Sequence, residues 1–314
     1  MKRAPLNVAQ LAQALTRASY TSTGVRPLAA KVKALLPLSI NGVGREIRKL
    51  VHSPDRSGRD RRQLAGRLDT RRLVAARTAR PDVFVKQWQV VGEDTAVSLL
   101  VDLSASMTGV RALMAGIAAF GIAQQLARTD AEFEVLGFST YPMDGARTSL
   151  AEGYINPAVA PTGGELGDNS RRDLQNVVGN PLTLVEFKTW GQNLRQCEND
   201  LLVGIPAWVA RYNSGTPDFE AILTATDRLV ARDVQRRLLI VFTDGSGVGA
   251  EAIKFACDRA AKRNVDVIGI GICCDDARCY PHHAVVRDLS QLTGETLRKI
   301  VDVVTQERRK RGDA

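Results

Sequence analysis

The chain has 314 residues, 44% of them hydrophobic, and a formal net charge of +9, enough to bury a sizeable core in one large or two modest globular domains. Its longest apolar runs, Val97 to Val101 and Leu238 to Phe242, are of strand length and far below the roughly 18 to 20 residues that a membrane-spanning helix needs. No membrane span is expected. The cysteines, Cys197, Cys257, Cys273, Cys274 and Cys279, are odd in number and irregularly spaced, which argues against a disulfide framework and for free thiols.

The stretch Met1 to Arg45 contains no Asp or Glu. Its Val8 to Leu15 segment is amphipathic, a trait shared with organelle transit peptides, but it has no continuous apolar core of a secretory signal, so the expected location is cytoplasmic. Leu11, Leu15, Val32, Leu35, Leu36, Ile47 and Leu50 recur among polar positions broken by Gly24, Pro27, Pro37 and Gly42. This pattern predicts a helical region over 1–52 made of two or three short helices. From Arg45 to Arg80, twelve Lys and Arg face four Asp and Glu, which reads as a basic arm within a linker over 53–93. Val83, Val85, Trp88, Val90 and Val91 mark a lead-in strand at its end.

From residue 94 the texture changes to an α/β domain expected to run to 314. Strand-like runs at Val97 to Val101, Phe133 to Phe138, Leu182 to Phe187, Leu238 to Phe242 and Asp266 to Ile272 alternate with helical periods. The helices are predicted near Gly109 to Arg128, Gln192 to Arg211, Asp218 to Ala231, Ala250 to Arg263 and Glu295 to Arg309. Continuous apolar strands are buried on both faces, so the fold class is a doubly wound, mainly parallel sheet flanked by helices, Rossmann-like in arrangement, with the basic helical extension ahead of it. Residues 140–181, rich in Gly, Pro, Asn and Ser, break the alternation and are expected to be an insertion near the rim of a site.

The constellation that carries chemistry begins after the first buried strand. Asp102, Ser104 and Ser106 occupy alternate positions of a turn leading into a helix, so their oxygens can converge. Thr216 opens another helix after Gly215, and Asp244 follows the strand ending at Thr243. In an open α/β sheet such loops meet where the strand order reverses. One or two carboxylates with hydroxyls suit a hard divalent cation, Mg²⁺ or Mn²⁺, which prefers oxygen ligands and keeps some water.

This order, Asp-x-Ser-x-Ser, then Thr, then Asp, resembles the metal-ion-dependent adhesion site (MIDAS) of the von Willebrand factor A (VWA) family. The resemblance implies that Asp102, Ser104 and Ser106 ligate directly or through water, that Thr216 joins in one state, and that Asp244 acts from behind them. A partner carboxylate would complete the shell. Gly66-Arg67-Leu68-Asp69 with Arg71-Arg72-Leu73, Asp94 to Val97, Glu134 to Thr140, Gln235 to Leu239 and Ile268 to Ile272 further resemble the VWA subunit of aerobic cobaltochelatase, an enzyme of cobalamin biosynthesis, over roughly 50–300. That subunit and the related activator of nitric oxide reductase work with a ring-forming AAA+ ATPase of the chelatase or MoxR type on a metal-handling client. Leu103 and Ala105 stand where the chelatase subunit tends to have Asn and Gly, and its acidic middle segment is missing, so the ATPase partnership is implied more directly than cobalt insertion.

Other patterns compete. Gly245-Ser246-Gly247-Val248-Gly249-Ala250, with Asp275 and Asp276 after the next strand, fits a dinucleotide fingerprint, but Asp244 would meet the pyrophosphate with like charge. No Gly-Lys pair exists, so there is no Walker A loop and ATP hydrolysis falls to a partner. Cys273, Cys274, Cys279, His282 and His283 match no established zinc spacing and read as thiols at a strand end with histidines on a solvated loop. No catalytic or cofactor-binding residue and no activity of the chain alone are expected. The expected function is a non-catalytic, cation-dependent adaptor for an AAA+ ATPase, with cobalt insertion as the candidate reaction of the complex. The alternative is nucleic-acid binding through the basic arm, although few aromatics interleave its arginines.

Overall fold

The computed structural model of the chain describes residues 22–34, 40–51, 56–63, 65–68, 84–90, 95–140, 155–156, 182–211, 215–245, 249–274, 276–288 and 291. The expected amphipathic start at 8–15, the final helix at 295–309 and nearly all of the insertion at 140–181 lie outside these residues.

Strand β4 (Thr95–Asp102) is buried along its whole length. Its alternate side chains feed two different cores. Val97, Leu99 and Val101 join one apolar cluster, while Ala96 and Leu100 join the other, as required of a strand covered on both faces. Around it are β5 (Glu132–Thr140), β6 (Ile155–Asn156), β7 (Leu182–Lys188), β8 (Arg236–Thr243), β9 (Val265–Ile272) and β10 (His282–Val286). The sheet order is β10-β9-β8-β4-β5-β7-β6. The pairs from β10 to β5 are parallel, whereas β7 pairs antiparallel with both β5 and β6. The fold is therefore the expected mainly parallel α/β sheet.

One face is covered by helices α6 (Asp218–Val230) and α7 (Ala250–Lys262). On the other lie α3 (Val110–Leu126) and a long helix that runs through α4 (Leu194–Asn199), a π-helical segment Asp200–Gly204 and α5 (Ile205–Arg211). The widened segment sits just before Pro206, which has no N–H to offer to the preceding turn. Helix α3 is buried on nearly every side because the sheet lies below it and further helices lie above.

Two of those outer helices come from the start of the chain. Helices α1 (Ser22–Lys33) and α2 (Ile40–Val51) insert Ala29, Val32, Ile47 and Val51 into the first core. Gly24 and Pro27, read from sequence as breaks, lie inside α1, and Gly42 lies inside α2. Burying Val32 and Ile47 stabilises by about 1.5 to 3 kcal/mol each, more than the local propensity penalty of a glycine. Thr95 Oγ1 then donates to Val51 O at 2.8 Å, tying α2 to the first residue of the central strand.

The described residues of the basic segment form strands. Strand β1 (Arg56–Gln63) pairs antiparallel with β3 (Phe84–Val90), with Arg56 opposite Val90 and Gln63 opposite Phe84, and β2 (Arg67–Leu68) pairs with the other edge of β3. The sequence of β1, Arg-Ser-Gly-Arg-Asp-Arg-Arg-Gln, carries no apolar alternation, so only the backbone ladder marks it as a strand. One correction concerns His282 and His283. They belong to edge strand β10, parallel to β9, with His282 buried and His283 exposed, and not to a solvated loop.

Candidate metal centre

The chain lays β5 on one side of β4 and β8 on the other, which opens a crevice at the carboxyl ends of these strands. Asp102 is the last residue of β4 and is fully buried. A 3₁₀ turn at Ala105–Met107 follows, closed by Met107 N–H donating to Ser104 O at 3.1 Å. This tight turn places the alternate side chains of 102, 104 and 106 together. The Ser104 N–H donates to Asp102 Oδ1 at 2.8 Å, the Ser104 and Ser106 hydroxyls lie 3.0 Å apart, and Ser106 Oγ donates to Asp244 Oδ1 at 2.9 Å. Four of the five residues singled out from sequence thus form one hydrogen-bonded chain.

Thr216 reaches the same edge of the sheet by a different route. Gly215 N–H donates to Thr140 Oγ1 at 2.7 Å, and Thr140 N–H donates to Gly215 O at 3.2 Å. This pair fastens the loop to the end of β5. Thr216 itself is half-buried and, among the described residues, makes no hydrogen bond to the other four.

Three residues at the site were not singled out from sequence. Thr243 Oγ1 donates to Asp102 Oδ2 at 3.2 Å and accepts from Gly245 N–H at 3.0 Å. Gly245 takes φ +77°, a left-handed turn that glycine adopts without strain. Arg111, in the first turn of α3, donates from Nη1 to Ser106 O and to Asp244 Oδ2, each at 3.0 Å. Asp218, the first residue of α6, is buried beside the site. Arg111 stands five positions after Ser106, and Asp218 two after Thr216. Either spacing could have prompted attention, but an acid opening a helix reads first as a favourable dipole contact.

Burial pushes the Asp102 carboxyl up to about 7, with the charge of Asp244 adding to the rise and the hydrogen bonds from Ser104 and Thr243 opposing it. Asp218 is raised well above the ordinary carboxylate range, first by burial and then by the charges of Asp102, Asp244 and Glu220. Such a cluster of disfavoured anions is what a bound cation would relieve.

The donors fit a hard divalent ion. All are oxygens, two from carboxylates and three from hydroxyls, with no soft ligand among them. Among the described residues no group of three His, Cys, Asp or Glu side chains is arranged to hold a metal, so a cation at this edge would depend on hydroxyls and water as well as on carboxylates. The same observation applies to the cysteine and histidine cluster. Cys273 Sγ points to Met114 Sδ at 3.7 Å, and Cys274 Sγ points to Thr243 O at 3.8 Å.

The mainly parallel sheet wrapped by helices carries an Asp-x-Ser-x-Ser turn at the end of its central strand. The family model described as the cobalamin biosynthesis protein CobT VWA domain matches residues 83–158. Solved structures similar to it include proximal thread matrix protein 1 from the mussel byssus, at 15% identity and a TM-score of 0.40 over 67% of this chain and 47% of that one. A form of the same mussel protein described as having a zinc-occupied MIDAS motif matches at 14% identity and a TM-score of 0.39, over 67% and 48%. An aerotolerance-related membrane protein from Bacteroides fragilis matches at 12% identity and a TM-score of 0.42, over 66% and 98%. The present chain spans about half the length of the mussel protein. Among the described residues no helix is long and apolar enough to cross a membrane.

Proposed function

We propose that the protein is a non-catalytic adaptor of a metal-chelatase-like complex, cytoplasmic and acting in cobalamin biosynthesis, whose VWA domain (94–314) engages an AAA+ ATPase of the chelatase or MoxR type. Asp102, Ser104, Ser106, Thr216 and Asp244 hold Mg²⁺ or Mn²⁺ at the carboxyl edge of the sheet. The observation that carries this reading is the continuous chain from Asp102 through Ser104 and Ser106 to Asp244 at the crevice of the sheet. The match of residues 83–158 to the CobT VWA domain model supports the biosynthetic setting.

The bound cation supplies a positive centre that can accept an acidic side chain of the partner or client. The chain's own residues do the rest. Asp102 anchors the site from the rigid central strand, the two serine hydroxyls bridge it to Asp244, and the Thr140 to Gly215 tie keeps Thr216 at the rim. ATP hydrolysis belongs to the partner, since this chain has no Walker A sequence.

The test is co-purification of the tagged full chain from its native cell in Mg²⁺ and in EDTA. An AAA+ ATPase retained only with Mg²⁺, and lost with Asp102→Ala while the domain stays folded, is the expected result. Retention of an ATPase by Asp102→Ala as by the parent sinks the cation-dependent mechanism. Nucleic acid retained regardless of EDTA, with no ATPase, overturns the adaptor reading in favour of the basic arm.

A further inference from the structure

Asp218 is 1% exposed, and among the described residues neither of its carboxylate oxygens has a hydrogen-bond partner. A buried carboxyl group left in this way is costly whether ionised or protonated, because both forms need partners. Asp218 opens α6 two residues after Thr216, and the strongest charges it feels are those of Asp102 and Asp244. The Tyr280 hydroxyl, which feels the charge of Asp218, is also fully buried and, among the described residues, also without a hydrogen-bond partner. The Tyr280 ring lies against Gly269, where an added Cβ would come within 2.4 Å of the ring's Cγ.

The charge balance of the site gives this carboxylate a purpose. Asp102 and Asp244, offset by Arg111, leave a net charge of about one negative unit; Asp218 brings it to about two, which balances a divalent ion. We propose that Asp218 is the third carboxylate of the cation site, holding the ion by its charge and by accepting hydrogen bonds from the ion's bound waters. Small hard cations such as Mg²⁺ keep several waters when bound to protein, so a carboxylate outside direct ligation still meets the ion, and no three-carboxylate direct cage is needed. The cation is then retained by this chain alone, before any partner carboxylate arrives. This inference rests on the cation reading of Asp102 and Asp244.

The test measures Mn²⁺ binding to the full chain by calorimetry and by the electron spin resonance of free Mn²⁺. The expected results are binding by the parent, loss with Asp102→Asn, a weakening of about tenfold or more with Asp218→Asn, and no change with Asp227→Asn. Asp227 lies on the same helix but is exposed and paired with Arg263. Thermal melting in EDTA provides the fold control. Asp218→Asn is expected to melt no lower than the parent there and to gain less from added Mg²⁺. Asp218→Ser repeats the measurement if the Asn variant does not fold. Parent-like Mn²⁺ affinity in the Asp218 variants, with Asp102→Asn still defective, overturns the role of Asp218 and leaves the cation site standing. Absence of Mn²⁺ and Mg²⁺ binding by the parent overturns both.

Discussion

Helix α6 handles charge differently at its two ends. At the last turn, Arg228 donates to Glu134 Oε2 from Nε at 3.0 Å and from Nη2 at 2.6 Å, and reaches Glu186 Oε1 at 2.7 Å, while Ser98 Oγ donates to the other oxygen of Glu134 at 3.0 Å. Every oxygen of the buried Glu134 carboxylate is thereby occupied. At the first turn, Asp218 is equally buried and, among the described residues, has no hydrogen-bond partner. Burial raises the carboxyls of both Glu134 and Asp218, but Arg228 opposes the rise at Glu134, whereas the charges of Asp102, Asp244 and Glu220 reinforce it at Asp218. A chain that can satisfy a buried acid at one end of a helix, and leaves one unsatisfied at the other, separates a part built for stability from a part built to receive something. The opposite ends of one parallel sheet carry these two tasks.

The comparison is broken most strongly by removing the anchor of the receiving end. Asp102→Asn is expected to weaken Mg²⁺ or Mn²⁺ binding on the order of 100-fold or more, because the remaining donors are mostly neutral hydroxyls. The melting temperature in EDTA should hold or rise, since a buried carboxyl is being neutralised. Calorimetry and a melting curve check both halves. Loss of folding would place Asp102 with the stabilising groups instead.

At the other end the effects reverse. Arg228→Met leaves Glu134 buried without its counter-ion, and stability is expected to fall by about 2 to 3 kcal/mol, read from urea unfolding. Cation affinity should stay at the parent value. A parallel loss of cation binding would mean that the two ends of α6 are coupled and that the division drawn between them is wrong.

Much of the receiving end was legible in the sequence because it depends on short-range order. Asp102, Ser104 and Ser106 announce themselves by alternation after a buried strand, and the ends of strands are where open sheets bind ligands. Asp218, Arg111 and Thr243 were not legible in this way. Their roles arise from how α3, α6 and β8 meet in space, and each residue type has an ordinary explanation in its local context. The fold followed the same division. Strands β4, β8 and β9 are apolar runs that reveal themselves, whereas β1 is held by backbone pairing under a polar, arginine-rich sequence. Strand β10 opens with two histidines and pairs only along one edge, so its composition resembles a loop.

A smaller effect sharpens the contrast through pH. The Asp102 carboxyl is raised to about 7, by burial first. A group raised in the folded state favours its protonated form there, so its stabilising contribution is fully present below the ordinary carboxylate value and is lost as pH rises through about 7. In EDTA, melting temperature should therefore decline between pH 5 and 8. Cation binding requires the ionised form, and the apparent affinity should be about tenfold weaker at pH 6 than at pH 8. A flat affinity profile would remove Asp102 as the titrating ligand. The Arg228 end should show no comparable dependence on added cation.

The smallest expected change is also the one with an unusual sign. Arg111 donates to Asp244 Oδ2 at 3.0 Å, on the opposite oxygen from the one that Ser106 uses. A guanidinium there competes with a cation for the same carboxylate, so it acts as a counter-ion belonging to the protein itself. The Arg111 side chain is 42% exposed, and solvent screening limits such a pair to about 1 kcal/mol or less. Arg111→Gln is therefore expected to tighten Mn²⁺ binding by about threefold, and by more at low ionic strength, where screening is weaker. Weaker binding in this variant would give Arg111 the opposite role, a brace that aims Asp244 at the ion through its second bond to Ser106 O. Repeating the titration at two salt concentrations separates the two, because charge competition fades with added salt and a bracing contact does not.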